Sequence, residues 1–111
     1  MASVIKPYDL RIAYISWGED GKKRPVLIMD QQEEKVYVYK ITTQYHNKNS
    51  KIKANYLSIK DWQQAGLHKS SYIDTNTLLK LHSSAVDSTL IGELSQRDIG
   101  SLEQFLGLNH F

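Results

Sequence analysis

The chain has no cysteine, which removes disulfides, thiolate zinc sites and thiol nucleophiles. Its histidines, His46, His68, His82 and His110, follow neither a His-x3-His nor a His-Glu-x-x-His spacing, so the pattern holds no metal cage. Long hydrophobic runs are missing as well. Met1 to Pro7 offers only Val4-Ile5 as consecutive large apolar residues, far short of an export signal or a membrane span. The expectation is a cytoplasmic protein. Charge of one sign is also lacking: 14 Lys and Arg against 12 Asp and Glu leave a net charge of +2. So small an excess does not by itself indicate nucleic-acid binding, and the distribution of charge matters more than the sum. No internal repeat, low-complexity tract or linker is visible. At 111 residues the expectation is one domain over 1–111, with its core at about 9–107 and large enough to need no metal or disulfide.

What is present is strand material. Seven tyrosines suit half-buried strands and also base stacking. Leu10 to Trp17 is rich in β-branched and aromatic residues and predicts a first strand. Gly18 to Lys23 reads as a charged, glycine-bracketed hairpin loop. Pro25-Val26-Leu27-Ile28-Met29 is a continuous apolar run, expected to be a strand buried on both faces and opened by Pro25, whose missing N–H is tolerated there. After a polar turn at Asp30 to Glu34, Lys35 to Ile41 alternates, with Val36 and Val38 on one side and Tyr37 and Tyr39 on the other. Thr42 to Asn55 is polar, basic and nearly free of apolar anchors, and a loop of that length is usually functional or disordered. Tyr56 to Ile59 returns to strand, Lys60 to Ala65 fits one helical turn stopped by Gly66, and Ser71 to Leu81 is a strand with a bend. Leu90 to Leu94 is another short strand. Ser95 with Asp98 resembles a capping box, Ile99, Leu102, Phe105 and Leu106 fall on one helical face, and Gly107 is the expected cap. The fold class is therefore mostly β with minor α: a small, partly open barrel covered by a C-terminal helix, with an α+β sheet as the alternative.

Three segments carry candidate chemistry. In Gly21-Lys22-Lys23-Arg24-Pro25-Val26 a guanidinium precedes a proline that fixes the backbone, and its planar fork matches phosphate oxygens. In Lys40-Ile41-Thr42-Thr43-Gln44 a hydroxyl stands where a strong strand meets the basic loop. In the loop, Lys48, Lys51 and Lys53 are interleaved with Tyr45 and His46, which suits a single strand of nucleic acid, cations on phosphates and rings on bases. Each also has an ordinary reading: a solvated strand-entry arginine, a threonine capping a turn, a hydrated loop. Glu19-Asp20 and Glu33-Glu34 are read as solvated faces. Ser71 and His82 lack a Gly-x-Ser-x-Gly setting, and Gly18 and Gly21 make no phosphate-binding fingerprint.

Taken in order, the segments resemble the MazF/PemK toxin family: a first strand closing in Ser16-Trp17, then Gly21 to Ile28, Val38 to Thr43, Ala65 to Ile73, Ile91 to Ser95 and the terminal helix. The resemblance spans roughly Leu10 to Leu106 and rests on order and spacing more than on any one motif. It implies an SH3-like barrel, a homodimer and a metal-independent endoribonuclease without cofactors. The implied substrate is single-stranded messenger RNA, cut at short sequences, and the implied inhibitor is a small acidic antitoxin. By motif match the family's arginine before proline falls on Arg24 and its threonine on Thr42, with Thr43 at the next position. Lys22, Lys23, Thr43, Tyr45, Lys48, Lys51, Lys53, Lys69 and Ser71 are the expected RNA contacts. One departure concerns an arginine that many members carry in a Gln-Leu-Arg-Thr context. Here the stretch is Thr77-Leu78-Leu79-Lys80, so a second cation is expected from Lys80, Lys69 or a loop lysine. Another is Asp74-Thr75-Asn76 where some members have Arg-x-Asp.

The chemistry fits those residues. In metal-free RNA cleavage the 2′-hydroxyl attacks its own phosphodiester, which requires in-line positioning, charge stabilisation and two proton transfers. A fixed guanidinium and a hydroxyl donor serve the charge. Arginine, with a pKa above about 12, is a poor base, so His46 or Asp74 is the expected acid–base group. The rival reading is a catalytically weak or inactive barrel of the same shape that binds RNA or a protein partner. A third is a purely structural accessory protein.

Overall fold

The computed structural model describes residues 4–107; His110 lies outside them. The elements are β1 (Asp9–Trp17), β2 (Asp20–Gln32), β3 (Lys35–Thr42), α1 (Ser50–Lys53), β4 (Tyr56–Ser58), β5 (Tyr72–His82), a 3-10 turn (Ser83–Ala85), β6 (Val86–Glu93) and α2 (Gln96–Leu106). The six strands form one antiparallel sheet in the order β4-β5-β3-β2-β1-β6. It stays open, with β4 and β6 as its edges. The chain is thus mostly β with a C-terminal helix, as its patterning predicts. No helix among the described residues is long and apolar enough to cross a membrane.

Alternation along the strands builds two cores. Val26, Ile28, Val36 and Val38 pack on one face with Ala13, Ile15 and Val86, and with Leu79 and Leu81 of β5 against them. Leu10, Leu27, Ile41 and Ile73 pack on the other with Ile59, Ala65, Leu94 and Leu102. The run Val26-Leu27-Ile28 is therefore buried on both faces because each face has its own cover. Register jumps curl the sheet. Val38 opposes Leu79 while Lys40 opposes Asp74, so β5 carries extra residues between those pairs, and β6 is irregular against β1. Such bulges sharpen local twist and produce the bend expected in β5.

Four expectations change. The Gly18 to Lys23 loop is a two-residue turn, because β1 and β2 stay paired out to Trp17 opposite Asp20. Its charged residues lie on a stretch of β2 that pairs, among the described residues, with β1 alone, since pairing with β3 begins at Val26. Lys22 and Lys23 are therefore exposed on a strand, and Pro25 sits within β2 rather than opening it. The Thr42 to Asn55 segment is anchored: Asn49 caps α1 through its side chain, and Tyr45 stacks on Tyr72 with centroids 4.4 Å apart. Phe105 is 42% exposed. The buried stripe of α2 runs through Ile99, Leu102 and Leu106, and Phe105 falls at its margin.

α2 is tied down at its first turn. Ser95 Oγ accepts from the Asp98 amide at 3.1 Å and donates to Asp61 at 2.6 Å. Asp98, only 1% exposed, accepts from the Lys60 and Asp61 amides at 3.0 and 2.8 Å. Arg97 grips Asp61 through two nitrogens, at 2.6 and 3.2 Å. The Arg97 hydrogen bonds, and then the Ser95 hydroxyl, hold the Asp61 carboxyl below its ordinary 3.8. A carboxyl more acidic in the folded state contributes its stability above the unfolded value, and that contribution is lost as pH falls through the folded one. In acid titrations followed by circular dichroism, wild type should exceed Arg97→Gln in stability at neutral pH. The gap should close below the ordinary value of 3.8. A gap independent of pH would contradict this.

Candidate active site

Period-two alternation decides which side chains meet. Arg24, Val26 and Ile28 share one face of β2. Val26 opposes Lys40 on β3, Lys40 opposes Asp74 on β5, and Asp74 opposes Tyr56 on β4. These four positions form one row across the sheet. In the next row Thr42 opposes Tyr72, and Arg24, two residues before Val26 on the same face of β2 and beyond the last β2–β3 pair, borders the same cavity as Thr42. Both rows lie on the face whose far end is the Val36 and Val38 core, so the polar groups occupy the open end of a half-barrel.

Arg24, Lys40, Thr42, Gln44, Lys48, Tyr56 and Asp74 line one cavity of about 170 Å³. Three cations there face a single carboxylate, so the hollow favours an anion. The three arginines are used differently. Arg11 is buried, paired with Asp9 at 3.5 Å and bonded to the Asp87, Ser88 and Val4 carbonyls. Arg97 is held by Asp61. The Arg24 side chain makes no hydrogen bond or ion pair among the described residues; its guanidinium carbon stands 5.9 Å from the Trp17 ring centroid. Thr42 Oγ accepts from the Gln44 amide at 3.0 Å. That bond fixes the oxygen and leaves the hydroxyl hydrogen able to donate.

Asp74 is 8% exposed. Its Oδ1 accepts from the Asn76 backbone and side-chain amides at 2.9 and 2.8 Å, and its Oδ2 lies 3.9 Å from Lys40 Nζ. Tyr56 is buried beside it. Burial first, then the charge and hydrogen-bond acceptor of Asp74, push the Tyr56 hydroxyl above its usual range. Tyr56 is therefore a neutral donor at physiological pH.

The other expected contacts are distributed around this cavity. Lys48 lines it. Lys22 lies two residues before Arg24 on the same face of β2, and Lys23 pairs with Asp87 at 3.8 Å. Tyr45 has its ring stacked on Tyr72 with Lys53 Nζ 4.8 Å from its centroid, so base stacking there requires that pair to part. His46 meets Tyr45 edge-on at 5.4 Å and does not line the cavity. Lys51 is exposed on α1. Thr43, Lys69 and Ser71 line a different hollow, with Ile12, Pro25 and Leu67, on the opposite face of the sheet. Ser71 is buried, and its hydroxyl donates to the Lys69 carbonyl at 2.8 Å. Lys80 borders a third hollow with Lys35 and His82. Lys40, Gln44 and Tyr56 are the cavity residues that reading the sequence did not single out. Lys40 was signalled by its two-residue spacing from Thr42; Tyr56 required the β4–β5 register.

No protein-family model and no curated protein sequence matches the chain. Solved structures do. The open six-stranded sheet with its terminal helix is the fold of the MazF toxins. The Mycobacterium tuberculosis toxin MazF-mt6 aligns with a TM-score of 0.66 at 22% identity, over 89% of this chain and 92% of its own. An endoribonuclease in complex with its cognate antitoxin, from a mycobacterial species, aligns with a TM-score of 0.65 at 13% identity, over 95% and 97% of the two chains. The likeness is one of fold, and it is the fold that the ordered motifs imply.

Proposed function

We propose that the protein is a MazF/PemK-like toxin, a metal-independent, sequence-selective endoribonuclease that cuts single-stranded RNA. The observation that carries this reading is the pairing of an unspent Arg24 guanidinium with the oriented Thr42 hydroxyl in one cation-lined cavity. A phosphodiester there meets Arg24, Lys40 and Lys48 as counter-charges and Thr42 as a hydrogen-bond donor. The 2′-oxygen attacks phosphorus and the bond to the 5′-oxygen breaks, giving a 2′,3′-cyclic phosphate and a 5′-hydroxyl. Asp74 takes the 2′-hydroxyl proton, and the departing 5′-oxygen takes its proton from solvent water. Asp74 lies inside the cavity, whereas His46 lies outside it. Lys40 and Lys48 supply the second cation in place of the arginine that Leu79 replaces. One structural neighbour is an endoribonuclease in complex with its cognate antitoxin, which supports an antitoxin partner here; a small acidic antitoxin laid over the basic cavity, and a homodimer, are parts of the same proposal. The setting is cytoplasmic.

Incubation of purified protein with long single-stranded RNA in excess EDTA tests this. The expected result is discrete fragments whose 3′ ends carry cyclic phosphate, identified by mass spectrometry. Tight binding without cleavage, or cleavage only after a divalent metal is restored, contradicts it. The apolar wall that Leu79 puts beside the cavity favours the second reading, a weakened enzyme that acts chiefly by binding. That reading predicts micromolar or tighter RNA affinity with no fragments.

A further inference from the structure

Arg24 and Lys40 border two adjoining hollows. One is the polar cavity with Thr42 and Asp74. The other, of about 350 Å³, is lined by the same two cations with Ile15, Ser16, Trp17 and Leu79. Its walls are mostly aliphatic and aromatic, and its charges lie on the side shared with the phosphate cavity. Trp17 ends β1 with 49% of its surface in water, and the guanidinium of Arg24 stands within cation–π reach of its ring. Leu79 is where the motif order anticipates an arginine. Here it makes the slot apolar instead of adding a third cation. The volume lies at the small end of ligand pockets. An apolar slot joined through two cations to an anion site has the layout of a nucleotide, with a flat ring on one side and its phosphate on the other.

We infer that this slot is a nucleobase subsite for the nucleotide flanking the bound phosphate, with Trp17 as its stacking platform and Leu79 as an apolar wall. The inference rests on the proposal that the neighbouring cavity takes an RNA phosphate. It does not require that the phosphate be cleaved. Stacking tolerates any base, so the slot contributes affinity and register, while discrimination falls to whatever polar groups reach the base edge.

The test uses the full chain and a labelled 2′-O-methyl oligonucleotide containing all four bases, which has no free 2′-hydroxyl to attack. Anisotropy titrations compare wild type, Trp17→Ala and Trp17→Phe. They are repeated with oligonucleotides carrying one abasic residue at each position in turn. Trp17→Ala is expected to weaken binding roughly 5- to 150-fold, the range for loss of one base–aromatic stack, with Trp17→Phe much closer to wild type. At one position, removing the base should weaken wild type and leave Trp17→Ala unchanged. Equal affinities for all three proteins, absence of binding by wild type, or a Trp17→Ala effect on sedimentation of the free protein instead of on affinity would each overturn the subsite. Matching RNA with free 2′-hydroxyls, run in parallel, separates the two proposals. Trp17-dependent binding without cleavage refutes the nuclease and keeps the slot. Unchanged rate and cut-site preference in Trp17→Ala refutes the slot and keeps the nuclease.

Discussion

Arg24→Ala should lower RNA cleavage by roughly 100- to 1,000-fold, the loss typical when one preorganised donor to a charged transition state is removed, with little change in thermal stability. The two parts of that expectation have separate causes. The guanidinium has no hydrogen bond or ion pair to lose among the described residues, and the one carboxylate in the cavity, Asp74, is already held by Asn76 and Lys40. Deleting it therefore leaves no buried partner unpaired. Its work is directed at a ligand, and the effect belongs in kcat because the extra charge on phosphorus exists chiefly in the transition state. Arg24→Lys keeps a charge but loses the planar fork, so it should fall between the two. Single-turnover cleavage with RNA in excess of Kd, beside a melting curve for each variant, checks both halves. A large stability loss with unchanged cleavage would make Arg24 structural.

Asp98→Ala is the converse case, a change away from the cavity that should act on stability. The Asp98 carboxylate receives the Lys60 and Asp61 amides and lies within the Ser95 cap of α2. Removal leaves two amides without an acceptor in a mostly dry corner, a cost of about 3 kcal/mol. For a domain whose total stability is of order 5–15 kcal/mol, that is a large fraction. Asp98→Asn keeps one acceptor oxygen and turns an NH2 toward the other donor, so it should recover only part of the loss. Urea midpoints at neutral pH give the comparison. Because α2 covers the face of the sheet opposite the cavity, the cleavage rate per folded molecule should be unchanged. If Asp98→Ala melts like wild type, the docking of α2 through its first turn is misread.

Much of the fold was legible because its signals are local. The alternation in Lys35 to Ile41, the doubly buried run at Val26, the Ser95 cap and the Gly107 stop each depend on residues a few positions apart. The β1–β2 connection misled for a physical reason. Asp20 to Lys23 is polar enough to read as loop, yet paired with β1 and with solvent around it, the strand has room for those charges. The basic loop misled in the opposite way. Tyr45 has no local anchor in the sequence; Tyr72, far along the chain, stacks on it.

The candidate site divides along the same line. Arg24 and Thr42 were marked by local motifs, and the antiparallel register brings them to one face. Asp74 was one of two named acid–base candidates, and its pairing with Lys40 separates it from His46. Thr43 was drawn in as the position after Thr42, and Ser71 by the Ala65 to Ile73 motif, but adjacent residues in a strand point to opposite faces. That alternation carries both to the other hollow. Tyr56 has no motif; only long-range pairing with Asp74 brings it in.

The central claim is that Arg24 and Thr42 act on one phosphate. A double-mutant cycle on cleavage rate tests it most directly, with Arg24→Ala, Thr42→Ala and the double variant assayed in EDTA on the same RNA. Residues serving one transition state are strongly non-additive. The double variant should therefore lose far less than the product of the two single losses, close to the Arg24→Ala loss alone. Losses that multiply independently, or single variants that cleave like wild type, would contradict the account.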